Sequence, residues 1–357
     1  MRKLSVFLII LFSLFTLIVN GKGSDPYADR GILDLRDIKN PDKFIVTLNG
    51  EWEFYWGKML RPFDFKSGNY KPDFYGKVPS YWTDYPQDSV STDRYGYATY
   101  RLLVLLPEGY NYPMAIDLPV FDSSYDLYLN GKYFGSNGTP GTSKDETVPE
   151  YKRNFYRINQ QSDSLDLIIN ISNYHHRRGG FWLPVKLGTF PETQRQIANI
   201  WASEWSVMSL LLGFSFFFLI FFILNPTEKL LGAFSLITIG LALRPLFTSH
   251  FLIYNIAGIK WLWVVRFEYL ALFLVIIGWT WFVRYLYPSA FARAAAWIIT
   301  VLFIFTSLLT LFLPVTIFSY FIHAYYPLMI VPMAYVLYKS FRGVLSRNGL
   351  DLVYFTC

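Results

Sequence analysis

The stretch SVMSLLLGFSFFFLIFFIL (206–224) contains no charged residue, and neither does AAAWIITVLFIFTSLLTLFL (294–313). Three further apolar segments of similar length occupy 230–249, 262–283 and 315–338. A helix that crosses a bilayer needs about 20 apolar residues. Because five such segments joined by short turns leave no polar face for water, we expect an α-helical transmembrane bundle over 206–338 rather than the buried helices of a soluble enzyme.

The charge distribution fits a membrane protein better than a nucleic-acid-binding one. The 357 residues carry a formal net charge of +6, with 53% hydrophobic and 20% aromatic residues. Residues 22–200 hold 21 basic and 22 acidic side chains, so the excess lies in Arg2, Lys3 and residues 201–357. No basic face is therefore concentrated in one soluble domain, which argues against nucleic acid as a partner.

Residues 1–21 have a basic start, an apolar run and small or polar residues after it, which is typical of a secretory signal peptide. Cleavage after Gly21 and retention as an uncleaved anchor are both compatible with this pattern. Either way, the following segment is exported. The only cysteine is Cys357, so the preceding residues have no disulfide, cysteine cluster for zinc or cysteine nucleophile.

Short strand-like runs separated by turn residues fill residues 25–190. Period-two alternation is clearest in SYDLYLNGKYF (124–134) and SLDLIINIS (164–172), and further strands are expected, including one at 181–187. Asn130-Gly131 predicts a two-residue hairpin turn, because this pair tolerates positive φ angles. The region therefore favours an all-β jelly roll or β-sandwich.

Five segments of this region resemble known proteins when taken in order. They are LNGEWEFYW (48–56), VPSYWTDYP (78–86), YGYATYRLLV (95–104), FDSSYDLYLNGKYFGSNG (121–138) and LDLIINISNYHHRRGGFW (165–182). Together they resemble the sugar-binding jelly-roll domain of β-galactosidase and β-glucuronidase-type enzymes. With the helical block behind them, they are still more similar to bacterial seven-transmembrane receptors with diverse intracellular signalling modules.

This resemblance implies a membrane signalling receptor with no enzymatic activity of its own. Its partners would be a carbohydrate or other small molecule outside, the lipid bilayer, and either a second copy or a separate cytoplasmic signalling protein. No cofactor is implied. The resembling receptors have seven spans and a cytoplasmic output module, so a chain with five predicted spans is expected to be shortened.

An exported first domain fixes the expected orientation. Residues 191–205 would form a helical juxtamembrane linker running into the first span, and 339–357 a cytoplasmic tail. Basic residues should then lie in the cytoplasmic segments, and only Lys260 lies in an external loop. The basic residues of the cytoplasmic segments are Lys229, Arg284, Arg293, Lys339, Arg342 and Arg347. We therefore expect a bacterial inner-membrane protein with its first domain periplasmic or extracellular.

The glycine-rich stretch NYHHRRGGFW (173–182) follows a strand, where binding loops commonly lie. Aromatic rings and planar polar groups suit sugars. By resemblance, the expected ligand-binding residues are Trp82, Asp122, Asn173, His175, His176, Arg177 and Trp182. The alternative is that the two tryptophans belong to the core and the charged residues are merely solvated. The neighbouring histidines point to opposite faces of an extended backbone, so no metal site is predicted.

Charges inside the predicted spans form the second candidate site, since such charges usually face a partner or a cavity. Arg244 near the outer end of the second span and Glu268 near the outer end of the third lie at matching depth. We predict that they pair, with Arg266 snorkelling outward or joining them. The pair could hold helices together or take part in a conformational switch.

Two other functions are compatible with the sequence. A glycan-recognising transport or envelope-assembly component would share the same organisation, although few ionisable groups lie within the spans. A membrane-anchored glycosidase would need two carboxylates flanking the scissile bond, normally on a catalytic domain, and the β region leads directly into the helical block.

Overall fold

The computed structural model describes residues 26–86, 90–121, 124–159, 162–248, 250–255 and 258–346, where strands come first and long helices follow. The strands are β1 (Ile32–Asp34), β2 (Ile45–Thr47), β3 (Gly50–Trp56), β4 (Phe74–Val78), β5 (Gly96–Leu105), β6 (Met114–Leu118), β7 (Ser124–Leu129), β8 (Lys132–Asn137), β9 (Asn154–Ile158), β10 (Ser164–Asn173) and β11 (Lys186–Thr189). The helices are α1 (Pro62–Lys66), α2 (Phe190–Leu224), α3 (Lys229–Phe247), α4 (Trp261–Leu286), α5 (Ala290–Phe312), α6 (Val315–Phe318) and α7 (Phe321–Ser346). The predicted signal segment lies outside the described residues.

The strands form two sheets, which we call the β unit together with their loops (26–189). The first sheet has the order β4-β3-β5-β10-β7-β8, with β1 also beside β5, and the second has the order β2-β11-β6-β9. Pairing between the strands is antiparallel except for β1 with β5. The long strand β10 pairs with β5 up to Asn173 opposite Gly96, so it delivers the 173–182 loop at one end of the sheet.

One hydrophobic core contains residues of both sheets. Leu165, Leu167, Ile169 and Ile171 of β10 are fully buried in it, as their alternation predicts, together with residues of the second sheet such as Ile116 and Leu187. Aromatic packing extends this core, with the Phe54 ring centroid 4.8 Å from that of Phe74 and 4.9 Å from that of Tyr100. Each such pair contributes about 0.5–1.5 kcal/mol beyond the area it buries.

The predicted hairpin turn is confirmed. Asn130 and Gly131 have φ angles of 47° and 81° and connect β7 to the antiparallel β8. Both values lie in the left-handed region that this turn requires.

Other strand predictions need correction. The strand predicted at 181–187 starts too early, because β11 spans only Lys186–Thr189. The ring of Phe181 instead lies 4.4 Å from that of Phe121 in the core, as part of a loop. Strand β4 was not predicted. It contains Gly76, which packs against Tyr85 so closely that an added Cβ would lie 3.0 Å from the tyrosine ring.

Within the described residues, five helices are long and apolar enough to cross a membrane: α2, α3, α4, α5, and the segment Val315–Lys339 that includes most of α7. The helix α2 runs without a break from Phe190 to Leu224, so the 191–205 segment is helical and continues into the first apolar stretch. Side chains such as Phe216 and Ile298 are more than 60% exposed. Apolar surface of this extent needs lipid rather than water around it, and the chain is a multi-pass membrane protein.

Candidate functional site

The β unit rests on the loops at one end of the helical bundle. Tyr151, just before β9, is buried with its ring centroid 4.6 Å from that of Phe251 and 5.7 Å from that of Trp261. Its backbone N–H donates to the hydroxyl of Tyr254 at 3.3 Å. Burial raises the pKa of Tyr254 to about 12, so this hydroxyl keeps its proton at neutral pH. An apolar cluster that also includes Val120 therefore joins the two halves of the chain.

The loop after β10 is organised by Asn173, which is buried. Its Nδ2 donates to the carbonyl oxygens of Arg94, His176 and Arg178 at 2.8–2.9 Å. Its Oδ1 accepts from the backbone N–H of His176 at 3.1 Å. These bonds hold the loop together and attach it to the segment before β5, so we assign Asn173 a positioning role.

The Gly179-Gly180 pair lets this loop pack directly on Trp82. A Cβ at Gly179 would lie 2.3 Å from the indole of Trp82, and Gly180 has a φ of 107°. The Trp82 side chain is fully buried in the core between this loop and the β3 residue Trp56, whose ring is 5.0 Å away. Trp82 therefore presents no surface to a ligand, whereas Trp182 at the far end of the loop does.

Two other predicted loop residues, His175 and Arg177, contact the helical half of the chain. The Nε2 of His175 donates to the carbonyl of Thr147 at 2.9 Å, and its ring lies 6.2 Å from that of Trp261. A guanidinium nitrogen of Arg177 is 3.2 Å from Nε2 of His323. His176 is buried, and Asp122 lies outside the described residues. The loop thus docks onto the helical bundle.

Between the β unit and the helix ends lies a cavity of about 470 Å³, which we call the interface cavity. Its walls are formed by Asp117, Pro119, Val120, Arg153, Arg178, Trp182, Leu183, Pro184, Lys186, Arg244, Thr248, His250, Phe251 and Glu268. The β unit contributes the residues up to Lys186, and the ends of α3 and α4 with their connection contribute the rest. A molecule in this cavity would contact both halves of the chain.

The β side of the interface cavity carries a buried ion pair and an aromatic cation contact. Arg153 Nε donates to Asp117 Oδ1 at 2.7 Å, and a second bond makes the pair bidentate. Their side chains are only 11% and 3% exposed. The guanidinium of Arg178 lies 4.6 Å over the ring of Trp182.

The helix side contains two of the predicted intramembrane charges. Arg244 of α3 and Glu268 of α4 both line the interface cavity. The two residues predicted to lie at matching depth are therefore found at one site. Glu268 has a contact of its own, whereas no hydrogen bond or ion pair of the Arg244 guanidinium is found in the described ranges. The direct pairing of Arg244 with Glu268 stays a prediction. Arg266 instead lies 5.0 Å over the ring of Trp263.

One contact at the cavity was missed by sequence reasoning. The Nδ1 of His250, beyond α3, is 2.5 Å from Oε1 of Glu204 in α2. Neither residue lies within a recognisable motif. The sequence signal was an acidic residue, Glu204, in the predicted helical linker and a histidine, His250, in the connection between the second and third apolar segments.

A second pocket, of about 230 Å³, lies on the outer face of the first sheet and was also missed. Its polar lining includes Arg61, Asp126, Tyr128, Glu146 and Asn170. Burial raises the pKa of Asp126. The positive charge of Arg61 lowers this pKa, but by less than burial raises it. Asp126 belongs to the quoted alternating strand, but nothing in that pattern identifies the residues that converge on it.

Comparison with known proteins gives a limited result. No protein-family model matches the chain, and no curated protein matches it. Among solved structures, it is similar to a β-glucuronidase of Ruminococcus gnavus (17% identity, TM-score 0.32), covering 43% of this chain and 29% of that one. A β-glucuronidase of an uncultured Clostridium species has 16% identity and a TM-score of 0.32, covering 43% of this chain and 30% of that one.

A similar result comes from a GH2 β-galacturonidase of Eisenbergiella tayi, with 15% identity and a TM-score of 0.30, covering 41% of this chain and 24% of that one. The chain thus spans less than a third of the length of these structures. TM-scores in this range support no conclusion about function.

Proposed function

We propose that the chain is a membrane signalling receptor whose β unit senses a small, carbohydrate-like ligand and whose helices relay ligand occupancy across the bilayer. The observation that carries this proposal is the interface cavity, because both the β unit and the outer ends of α3 and α4 form its walls. A ligand there can act on the arrangement of the two halves if it binds one arrangement more tightly than another.

The proposed architecture is a jelly roll placed before a helical bundle in a bacterial inner membrane, with the β unit outside and the C-terminus cytoplasmic. Two sheets with one shared core support the jelly roll. The continuous helix α2 supports the relay, since it starts directly after β11 and enters the apolar block. The ligand contact is assigned to Trp182 rather than to the buried Trp82. The proposed role is recognition without catalysis.

The test uses the full chain in lipid nanodiscs with a Cys357→Ser background, so that introduced cysteines are the only ones. Spin labels are placed at two exposed sites, Tyr133→Cys on β8 and Phe312→Cys at the end of α5. Glucose, glucuronate and glucose 6-phosphate are the probes. We expect at least one probe to raise the melting temperature and to change the distance between the labels.

The Trp182→Ala variant should lose both responses, while Trp297→Ala, which alters an exposed tryptophan of α5, should keep them. A probe that binds but leaves the label distance unchanged would contradict signalling through the bundle. Absence of binding by all three probes would remove ligand sensing. Turnover of a chromogenic glycoside by the full chain would favour the glycosidase alternative.

A further inference from the structure

We infer that the interface cavity selects an anionic ligand, a small molecule or headgroup that carries a carboxylate or phosphate. This inference rests on the proposed function for the location of the site, and it adds the chemical class of the ligand. Charge, hydrogen-bond donors and the apolar part of the wall support it separately.

The charge of the cavity wall is positive. Two acidic residues, Asp117 and Glu268, face four basic ones, which leaves an excess of two positive charges. The basic residues are Arg153, Arg178, Lys186 and Arg244. Asp117 is already neutralised by its bidentate bond with Arg153. The net positive charge of the wall therefore attracts an anion.

The wall also contains hydrogen-bond donors that have no partner in the part of the chain that the structure describes. The indole Nε1 of Trp182 and the Nη1 of Arg153 are buried N–H groups without a hydrogen-bond partner in the described ranges. The Arg244 guanidinium likewise has no hydrogen bond or ion pair among the residues that the structure describes. Carboxylate and phosphate oxygens accept several hydrogen bonds at once, most strongly from guanidinium groups.

Apolar residues complete the wall and strengthen these interactions. Val120, Leu183, Pro184 and Phe251 lie beside the charged groups. Coulomb attraction is several-fold stronger near such low-dielectric surfaces than in bulk water. The volume of about 470 Å³ lies within the range of small-molecule sites and accepts a single sugar ring with a charged substituent.

Such an anion could come from two sources, a soluble molecule on the side of the β unit or the headgroup of an anionic lipid. The test therefore measures binding of glucose, glucuronate and glucose 6-phosphate to the full chain in nanodiscs of phosphatidylcholine. The three probes share one ring and differ in charge. A parallel set of nanodiscs contains phosphatidylglycerol, and thermal stability is compared between the two lipids.

We expect at least one charged probe to bind at least about tenfold more tightly than glucose, or phosphatidylglycerol to stabilise the chain and compete with the probes. Arg244→Gln should weaken charged-probe binding about tenfold or more, and Arg244→Lys should retain part of it. Trp182→Phe, which keeps a ring but removes the N–H donor, should weaken it less. Lys260→Gln removes the same charge from an exposed site off the cavity and should change nothing.

Equal affinity for glucose and its charged forms would overturn the inference while leaving ligand sensing intact. Absence of any charged-probe or anionic-lipid effect would overturn it as well. Charged-probe binding that persists unchanged in Arg244→Gln and Trp182→Phe would place the anion elsewhere and refute this cavity as its site. Conversely, anion binding without a change in label distance would contradict the receptor function and leave the anion site standing.

Discussion

Glu204 and His250 connect the long helix α2 to the cavity wall, with Oε1 of the glutamate 2.5 Å from Nδ1 of the histidine. Both side chains are largely buried, at 18% and 26% exposure. Because α2 starts at the last strand of the β unit and His250 lines the interface cavity, this contact joins the cavity to the helix that links the two halves.

We expect Glu204→Ala to lower the free energy of unfolding by about 1–3 kcal/mol, because it removes a hydrogen bond that involves a charged group. Thermal unfolding of the full chain in nanodiscs measures this. Glu228→Ala is the control, since Glu228 is exposed in the turn between α2 and α3. Equal stability of the two variants would show that the contact contributes nothing.

The Asp117–Arg153 pair should be far more important for stability than an exposed pair. Asp117→Ala leaves the guanidinium of Arg153 buried without its counter-charge, and we expect a loss of about 3–5 kcal/mol. The control is Asp34→Ala, because the Asp34–Arg36 pair is about half exposed and should contribute almost nothing. Chemical unfolding of both variants makes the comparison, and similar losses would contradict the role assigned to burial.

Tyr151→Ala should loosen the β unit from the bundle. It empties the space between Phe251 and Trp261, and truncation of a buried aromatic side chain costs about 3–5 kcal/mol. The expected signs are a lower melting temperature and faster trypsin cleavage between the two halves. Tyr133→Ala removes an exposed tyrosine of β8 and should leave both unchanged. Unchanged proteolysis of Tyr151→Ala would mean that other contacts suffice for docking.

Local patterns predicted the elements whose form depends on the spacing of neighbouring residues. The alternation of β10 and the Asn130-Gly131 turn depend on neighbouring residues alone, and both are confirmed. The five apolar stretches were also found, because their length and composition do not depend on tertiary contacts. The start of the strand predicted at 181–187 was wrong because Phe181 belongs to a loop that packs on Trp82 and Phe121, which are distant in the sequence.

In the candidate site, too, some residues were predictable from the local sequence and others depend on tertiary contacts. The sequence was enough to predict Trp182 as a site residue, because it lies in a polar loop. It was also enough to predict that Arg244 and Glu268 lie at matching depth, because each interrupts an apolar run. Arg153, Asp117 and His250 were not predictable, because only the docking of the β unit onto the helix ends brings them to one cavity. Burial likewise decides that Trp82 and Asn173 hold the loop in place.

Close packing between α3 and α4 should depend on Gly240. A Cβ there would lie 2.7 Å from Cγ2 and 3.1 Å from the backbone nitrogen of Val275. We expect Gly240→Ala to separate the helices and to cost about 1–3 kcal/mol. The control is Gly213→Ala on α2, where nothing lies within 4 Å of the added Cβ. Thermal unfolding in nanodiscs compares the two variants. Equal melting temperatures would show that α3 and α4 can move apart without loss of stability.

The pocket on the outer sheet face offers a test that depends on pH. Burial raises the pKa of Asp126, so its charged form is disfavoured in the folded chain. An acid with a raised folded pKa supports folding fully below its unfolded pKa of about 4 and loses that support as pH rises through the folded value. Asp126→Asn should therefore melt at a higher temperature than the wild type at pH 7, and this advantage should shrink toward pH 4.

Asp34→Asn provides the control of opposite sign. Hydrogen bonds from Arg36 lower the pKa of Asp34 to about 2, so its carboxylate stays charged down to that pH, and because the pair is exposed its contribution to stability is small. Asp34→Asn should thus show no advantage at pH 7, in contrast to Asp126→Asn. Melting temperatures of both variants and the wild type between pH 4 and 8 test whether Asp126 is desolvated in the folded chain. A pH-independent advantage of Asp126→Asn would mean that its carboxylate is solvated and that the pocket does not hold a desolvated acid.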